Sequence, residues 1–303
     1  MTSRALPAAA LAAALFLGPA TLRAGHGHHG RGVSTHHDGD MVRCSDLTID
    51  FDDRPAQRAE QAMTVPVDAG RPLRVRAAEN SGISVRGADR SDFQVTLCKG
   101  AGDAADLSAI AITRDNGVLS VRGPASEDWV GYLIIESPRN AAIDLGAENG
   151  PVSISDLAGR VVLRSENGPI SIRRSPGDID AHAQNGPIAV QGDAGRLRLA
   201  TENGPIAVAL TGASWNGEGL EARAVNGPVS LAVPAGYRSG TLVQSLGHSP
   251  FQCRGEACSG MRRTWDDEHK SLELGDGPVV VRLSTDNGPV SIRTGTEPDE
   301  DDD

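Results

Sequence analysis

The stretch SENGPISIRRSPGDIDAHAQNGPIAVQGDAGRLRLATENGPIAV, residues 165–208, contains the motif Asn-Gly-Pro-Ile three times. The motif asparagine recurs with a strict spacing of 18 residues at Asn149, Asn167, Asn185 and Asn203. Less regular copies surround Asn80, Asn116, Asn226 and Asn287, and residues 233–275 interrupt the series. A fixed period of this length indicates a repeat architecture in which each period is one structural unit.

Each period contains two short segments in which apolar residues alternate with other residues. Three and five places after the asparagine lie aliphatic residues, such as Ile170 and Ile172, with a small residue between them. Six and four places before the asparagine lie further apolar residues, such as Leu197 and Leu199. Alternation with a period of two is typical of a β-strand that buries one face. We therefore predict two strands in each repeat.

Turn residues separate these predicted strands. Asn-Gly is predicted to supply a positive φ where the chain reverses, and the proline after it begins the next strand. A second glycine recurs ten places after the asparagine, at Gly159, Gly177 and Gly195. One repeat cannot bury its own apolar face, so repeats stacked about 4.8 Å apart are favoured. The sequence predicts an all-β protein, a parallel β-solenoid or β-helix with about 18 residues per coil.

Both ends of such a stack need a cap, because the last strand at each end has unpaired backbone groups. Residues 41–78 are the candidate cap at one end. The irregular segment 233–275 is either an inserted flap or part of the other end. A sandwich of β-hairpins is the competing all-β interpretation, since Asn-Gly is also a hairpin signal, but a sandwich does not require a constant period.

The first 24 residues, MTSRALPAAALAAALFLGPATLRA, predict a cleaved secretory signal peptide, with a retained membrane anchor as the alternative. No later segment is apolar enough to cross a bilayer, so no transmembrane span is expected after cleavage. The formal net charge of the chain is -11, which argues against nucleic acid as a partner. Residues 297–303, EPDEDDD, contribute six of the carboxylates.

Four cysteines in an exported chain indicate an oxidising compartment and two disulfides. Cys253 and Cys258 lie close together in QCRGEACSG and would close a small loop, which leaves Cys44 and Cys98 to pair. Sequence alone permits two other connectivities as well.

A histidine cluster follows the predicted signal peptide. Its members are His26, His28, His29, His36 and His37. Imidazoles at this density bind Zn, Cu or Ni where enough of them converge, but the same Gly-rich segment is also typical of a flexible linker. No cofactor is predicted elsewhere in the chain.

Three sets of side chains are predicted to form columns on the surface of the stack. Acidic residues precede the motif asparagine at Glu148, Glu166, Glu202 and Asp286. This column is interpreted either as a stripe that attracts calcium or as an edge exposed to solvent. Small residues point outward on one face at Ser153, Ser171, Ala189, Ala207, Ser230 and Ser291, either to dock a partner or only to pack well. On the opposite face, charges alternate at Asp180, Arg198 and Glu221 if the insertion near Trp215 loops out.

The segments AMTVPVDAGRPLRVRAAENSGISVRGAD (62–89) and GYLIIESPRNAAIDLGAENGPVSI (131–154), followed by the Asn-Gly-Pro repeats, resemble a bacterial adhesin family of unknown function, the DUF4097 domain, related to auto-transporter head domains. The resemblance covers roughly residues 44–293 and implies a β-solenoid in an exported or surface protein. It implies no catalytic residues. The expected domains are a signal peptide (1–24), a His-rich flexible segment (25–43), the adhesin-like solenoid (44–294) and an acidic disordered tail (295–303).

Motifs of catalysis are missing from the sequence: there is no Gly-x-Ser-x-Gly, no His-Glu-x-x-His and no phosphate-binding loop. We therefore predict a non-catalytic binding or scaffolding protein that is periplasmic, on the cell surface or extracellular, with an unknown envelope protein or glycan as its partner. A polysaccharide lyase or hydrolase on a β-helix is the alternative, and metal binding by the histidine cluster is a second one.

Overall fold

The computed structural model describes residues 33–36, 41–51, 54–77, 81–126, 128–246, 249–266 and 268–294. The strands are β1 (Val33–His36), β2 (Thr48–Phe51), β3 (Arg54–Pro55), β4 (Gln57–Pro66), β5 (Leu73–Ala77), β6 (Ser81–Ala88), β7 (Asp92–Ala101), β8 (Ala111–Asp115), β9 (Val118–Arg122), β10 (Trp129–Pro138), β11 (Ile143–Ala147), β12 (Val152–Ser155), β13 (Arg160–Ser165), β14 (Ile170–Arg173), β15 (Asp178–Asn185), β16 (Ile188–Gly192), β17 (Ala194–Asn203), β18 (Ile206–Leu210), β19 (Asn216–Asn226), β20 (Val229–Val233), β21 (Gly240–Leu246), β22 (Phe251–Arg254), β23 (Arg262–Trp265), β24 (His269–Leu274), β25 (Val279–Asn287) and β26 (Val290–Thr294). One α-helix, α1 (Ala104–Ala109), and two 3-10 turns, Cys44–Asp46 and Glu256–Cys258, complete the described elements.

The strands form two long sheets and one small one. Sheet I has the order β22-β26-β20-β18-β16-β14-β12-β6-β10-β7-β4. Sheet II has the order β23-β24-β21-β25-β19-β17-β15-β13-β11-β5-β9-β8. The central strands of both sheets are parallel to their neighbours, and β1, β2 and β3 form a separate antiparallel sheet. The prediction of an all-β protein with parallel strand pairing is confirmed.

Equivalent residues of successive repeats lie side by side in these sheets. In sheet I, Ile170 pairs with Ile188, and Ile188 pairs with Ile206. In sheet II, Leu163 pairs with Ala181, which pairs with Leu199. The predicted columns of aliphatic residues are therefore present, with partners 18 residues apart in the sequence.

Alternating burial explains why these short segments form strands. Ile188 is 0% exposed and Val190 is 4% exposed, whereas Ala189 between them is only half-buried. The inward residues of sheets I and II belong to one continuous apolar core. Each fully buried Val, Ile or Leu contributes roughly 1.5–3 kcal/mol before the entropy cost of ordering the chain.

The amino-terminal end of both sheets is built from antiparallel strands. β7 pairs antiparallel with β10 and with β4, and β8 pairs antiparallel with β9. Asn116 and Gly117 form the two-residue turn between β8 and β9, with φ values of 49° and 79°. A turn with positive φ at both central residues is the kind that joins the two strands of an antiparallel hairpin. The interpretation of Asn116 as another repeat is therefore wrong. The repeat of β5 and β6 pairs directly with that of β11 and β12 instead.

A second, smaller apolar core lies on the outer face of sheet I at this end. Met41, Leu47, Ile49 and Phe51 pack there against outward residues of β7 and β10, such as Tyr132. Packed structure thus begins before Cys44, since Met41 is 2% exposed and β1 pairs with β2. We call residues 41–51 the cover segment, because they close one end of this outer face.

The irregular segment 233–275 forms the other end of the stack. Its strands β21 and β22 pair with β25 and β26, the last of the described strands. β25 and β26 also pair with β19 and β20, so the final repeat lies between the preceding repeat and this segment. Antiparallel strands β24 and β23 then complete sheet II. The segment is therefore an end cap and not an inserted flap.

The five extra residues between the repeats of Asn203 and Asn226 lie in the connection from β18 to β19 and in a bulge near the start of β19, so they leave the later register intact, as the predicted charge alternation required. Trp215 is 7% exposed, and its indole Nε1 donates a hydrogen bond to the carbonyl oxygen of Gly195 at 3.0 Å. The pairing of β17 with β19 shifts register near Ala194 and continues normally afterwards. A buried aromatic side chain thus fills the space that the insertion creates.

Candidate binding surface

The motif asparagines form a hydrogen-bonded ladder along one edge of the stack. Each side-chain amide after the first donates through Nδ2 to Oδ1 of the asparagine in the preceding repeat, at 2.9–3.1 Å. The ladder joins Asn149, Asn167, Asn185, Asn203, Asn226 and Asn287. All six side chains are exposed, so the remaining hydrogen-bonding groups of each amide face solvent. The edge is a row of regularly spaced donors and acceptors.

The predicted role of Asn-Gly as a positive-φ turn is wrong at these corners. None of the six ladder asparagines or the glycines after them, all of which the structure describes, has a positive φ. A Cβ added at Gly186 would overlap the carbonyl oxygen of Gly168, and one at Gly204 would overlap that of Gly186. Glycine is required because the backbones of successive corners pass too close for any side chain.

Asn185→Ala is expected to lower the free energy of unfolding by about 1–2 kcal/mol, because it removes two side-chain hydrogen bonds from the middle of the ladder. Urea unfolding followed by circular dichroism measures this change. Gln184→Ala, at the adjacent exposed position, is the control and should change stability by less than about 0.5 kcal/mol. Equal effects of the two substitutions would mean that the ladder does not stabilise the fold.

The acidic column beside the ladder is solvated and partly paired. Glu148, Glu166 and Glu202 are exposed. Asp286 forms an ion pair with Arg223, with 2.7 Å between Nη2 and Oδ2. In the described part of the chain, no group of three or more His, Cys, Asp or Glu side chains is arranged to hold a metal ion.

The outer face of sheet I carries the small residues that the sequence placed there. Ser153, Ser171, Ala189, Ala207, Ser230 and Ser291 follow one another in register across six parallel strands. The cover segment lies beside the start of this column. Ser84, the partner of Ser153 in β6, donates through Oγ to the carbonyl oxygen of Met41 at 3.1 Å. Tyr132, which packs against the cover segment, forms a hydrogen bond with Ser153. Burial raises the pKa of the Tyr132 phenol well above its usual value. We call the column from Ser153 to Ser291 the small-residue face.

Charges alternate along the outer face of sheet II as predicted. Asp180 pairs in register with Arg198, and Arg198 pairs with Glu221. Arg76 and Asp144 form an ion pair at 3.0 Å on the same face. Each exposed ion pair of this kind contributes at most about 1 kcal/mol to the stability of the fold. This face is polar and solvated.

Two ion pairs that the sequence analysis missed join neighbouring repeats at the corners opposite the ladder. Arg174 donates through Nε to Asp156 Oδ1 at 3.0 Å, and Arg196 donates through Nε to Asp178 Oδ1 at 2.9 Å. The partners in each pair are 18 residues apart, which is the signal that could have identified them. These hydrogen bonds lower the pKa of both aspartates.

The stability of the chain should fall in acid because the pKa of Asp156 is lower in the folded protein than its usual value of 3.8. The contribution is present above the unfolded pKa and is lost as pH falls through the folded one. Asp156→Asn is therefore expected to lower the melting temperature at pH 7, and the difference from wild type should shrink as the pH falls below the usual pKa of 3.8. If the melting temperatures of wild type and Asp156→Asn differed by the same amount at pH 7 and at pH 2, this expectation would be contradicted.

The four cysteines form two disulfides, Cys44–Cys98 and Cys253–Cys258. The first joins the cover segment to β7, and two open clefts of about 280 and 300 Å³ lie beside it. Glu60 lines both clefts, and Arg58 in the second donates to the carbonyl oxygen of Leu47 at 2.9 Å. The second disulfide closes a short loop in the end cap.

The histidine cluster has no described site geometry. His26, His28, His29 and His37 lie outside the described residues, as do Asn80 and the segments 1–24 and 295–303. The backbone of His36 lies at the end of β1 and pairs with Thr48. Metal binding by these residues stays a prediction.

No helix in the described ranges has both the length and the apolarity to span a membrane. No protein-family profile matches the chain, and no curated protein matches it either. Solved structures that are similar to 79% of the chain include a "putative adhesin" from Bacteroides fragilis, with 14% sequence identity, a TM-score of 0.36 and 97% of that chain covered. A "putative cell adhesion protein" from Clostridium sporogenes has 10% identity, a TM-score of 0.33 and 100% of its chain covered. A "putative lipid binding protein" from Parabacteroides distasonis has 10% identity, a TM-score of 0.33 and 97% of its chain covered.

Proposed function

We propose that this chain is an exported, non-catalytic β-solenoid with about 18 residues per coil, which binds or scaffolds a glycan or a protein of the bacterial envelope. The observation that carries the proposal is the register of the central strands. Six parallel strands place the same outward residue types in columns that extend about 24 Å. The chain thereby presents long surfaces of repeated groups, as an elongated ligand or a flat partner requires.

The small-residue face is the binding surface that we propose. Its members are half-buried by their own neighbours, except for the exposed Ser291. A flat face of small side chains permits close approach of a partner and loses little side-chain entropy when the partner binds. The cover segment occupies only one end of this sheet face, so the strands from β14 to β20 stay accessible.

Export is the second part of the proposal and has separate support. Both disulfides are of the kind that persists in oxidising compartments, and the predicted signal peptide would direct the chain there. The periplasm, the cell surface and the extracellular medium all meet this requirement.

A glycan array and immobilised envelope fractions test the proposed function. The oxidised chain without residues 1–24 is expected to bind at least one component. Ala189→Glu combined with Ala207→Glu should reduce that binding at least about tenfold, because two buried carboxylates would face the partner. Ala200→Glu combined with Arg164→Glu, on the outer face of sheet II, should leave it unchanged. Absence of binding, or equal loss in both double variants, would refute the proposal.

A further inference from the structure

The dipeptide Asn-Gly occurs eight times in the chain, and the structure places it in contrasting surroundings. Six of these pairs are the corners of the asparagine ladder. A seventh is Asn216-Gly217 at the start of β19, and the eighth is Asn116-Gly117 at the tip of the β8–β9 hairpin. In this dipeptide the backbone nitrogen reaches the asparagine side chain most easily, because glycine has no side chain to hinder the approach.

The reaction open to such a pair is the loss of ammonia from the asparagine. The backbone nitrogen of the glycine forms a bond with Cγ of the asparagine, and the bond from Cγ to Nδ2 breaks. Nδ2 leaves as ammonia together with the proton of the glycine amide, and a succinimide ring remains in the main chain. Water then opens the ring at either carbonyl, which gives aspartate or its β-linked isomer, isoaspartate. Ring closure needs the peptide between the two residues to turn, so a restrained backbone slows the reaction.

The ladder corners hold both reacting groups in place. Asn185 donates to Asn167 and accepts from Asn203, each at 2.9 Å, so its side-chain amide cannot turn towards the backbone without losing both bonds. Gly204 donates its backbone N–H to the carbonyl oxygen of Asn226 at 3.0 Å, and this nitrogen is the attacking atom for Asn203. The corner glycines also lie too close to the carbonyl oxygens of the neighbouring corner for their peptides to turn.

The neighbouring repeat also restrains Asn216-Gly217. The backbone N–H of Asn216 donates to the carbonyl oxygen of Asp193 at 2.7 Å, and Asn216 pairs with Ala194 in sheet II. A Cβ added at Gly217 would overlap backbone atoms of Gly195, so this peptide has no room to turn either.

Asn116-Gly117 has none of these restraints. Both residues are exposed, and a Cβ added at Gly117 would meet no atom within 4 Å. Among the described residues, none forms a hydrogen bond with the side chain of Asn116. β8, which leads into this turn, is an edge strand of sheet II and pairs there with β9. The peptide between Asn116 and Gly117 is therefore the one with room to turn.

We propose that Asn116 is a site of spontaneous modification, where the folded chain is converted to aspartate and isoaspartate, while the ladder protects its own six Asn-Gly pairs. Both products place a new carboxylate beside Asp115 at the tip of the hairpin. Isoaspartate also adds a methylene group to the main chain of a two-residue turn, whose length fixes how β8 pairs with β9. This inference stands on the surroundings of the Asn-Gly pairs and does not require the proposed envelope function.

Ageing of the oxidised, full-length chain at mildly alkaline pH tests the proposal. Samples are digested, and chromatography with mass spectrometry of the peptides gives the rate of aspartate and isoaspartate formation at each Asn-Gly pair. Asn116 should react at least about tenfold faster than each of the other seven asparagines. When the chain is reduced and unfolded in urea, the eight rates should lie within about threefold of one another, because the fold no longer restrains any pair.

Removal of one ladder member tests the protection directly. Asn185→Ala takes away one hydrogen-bond partner of Asn167 and one of Asn203. Modification at these two asparagines should become at least about threefold faster, and the rate at Asn116 should stay at the wild-type value. Gln184→Ala is the matched control and should leave all rates unchanged. Melting temperatures check that both variants are folded.

Three results would overturn the proposal. The first is an equal rate at Asn116 and at the ladder asparagines of the folded chain. The second is a preference for Asn116 that persists in urea, which would assign the preference to the local sequence and not to the fold. The third is an unchanged rate at Asn167 and Asn203 in folded Asn185→Ala, which would mean that the ladder does not protect its members.

Discussion

Gly186→Ala is expected to destabilise the folded chain by about 2–4 kcal/mol, the largest effect that we expect from a single added methyl group. The new Cβ would overlap the carbonyl oxygen of Gly168 in the neighbouring repeat. Gly186 and Gly168 lie in corners between paired strands, so moving them apart would pull on the backbone hydrogen bonds that join β13 to β15 and β14 to β16. Urea unfolding monitored by circular dichroism measures the loss.

Gly192→Ala is the matched control for this prediction. Gly192 lies six residues further along, at the end of β16, and a Cβ there would meet no atom within 4 Å. Its φ is not positive, so alanine is compatible with the backbone and should change stability by less than about 1 kcal/mol, in the stabilising direction. A Gly186→Ala variant as stable as Gly192→Ala would show that the corners can separate.

Cys44→Ala with Cys98→Ala is expected to lower the free energy of unfolding by about 4 kcal/mol on the chain-entropy account, because the disulfide spans 54 residues. The same bond holds the cover segment on β7, where Leu47, Ile49 and Phe51 are buried. Its loss should therefore also speed hydrogen exchange in residues 41–51. Chemical unfolding and exchange measured by mass spectrometry test the two effects separately.

The second disulfide provides the comparison. Cys253→Ala with Cys258→Ala opens a loop that spans only 5 residues, and the same account gives about 2 kcal/mol. Exchange in the cover segment should stay at the wild-type rate in this variant. Equal losses for both pairs, or unchanged exchange in residues 41–51 without Cys44–Cys98, would contradict the role that we assign to the longer bridge.

Periodicity was sufficient to predict the strands of the central repeats and their pairing. Ile170, Ile188 and Ile206 lie side by side because a constant spacing leaves only one register in which all aliphatic residues face inward. The alternation of Ser or Ala with Ile or Val likewise predicted which residues form the outer face.

Local turn statistics, by contrast, gave the wrong reason for the regular recurrence of Asn-Gly. In an isolated hairpin the pair supplies positive φ, as it does at Asn116 and Gly117. In the stacked corners, contacts between repeats decide instead: the asparagine amide bonds to its equivalent, and the glycine admits a neighbouring backbone. A single sequence motif therefore has two conformations, and only the tertiary context separates them.

The ends of the stack could not be predicted from the repeat because their residues do not share its period. Antiparallel strands at both ends and the buried Trp215 depend on contacts between segments far apart in the chain.

The position of β25 and β26 has a consequence for how the molecule acquires its fold. These strands follow all the other described strands in the sequence, yet they lie between β19 and β20 on one side and β21 and β22 on the other. Until residue 294 is available, β19 and β20 present open edges, β21 has only β24 as a native partner, and β22 has no partner among the described strands already made. Premature docking of that earlier-made pair on these edges would be a kinetic trap, which must dissociate before the final strands can insert. The final pairing of the described strands therefore waits until residue 294 is available.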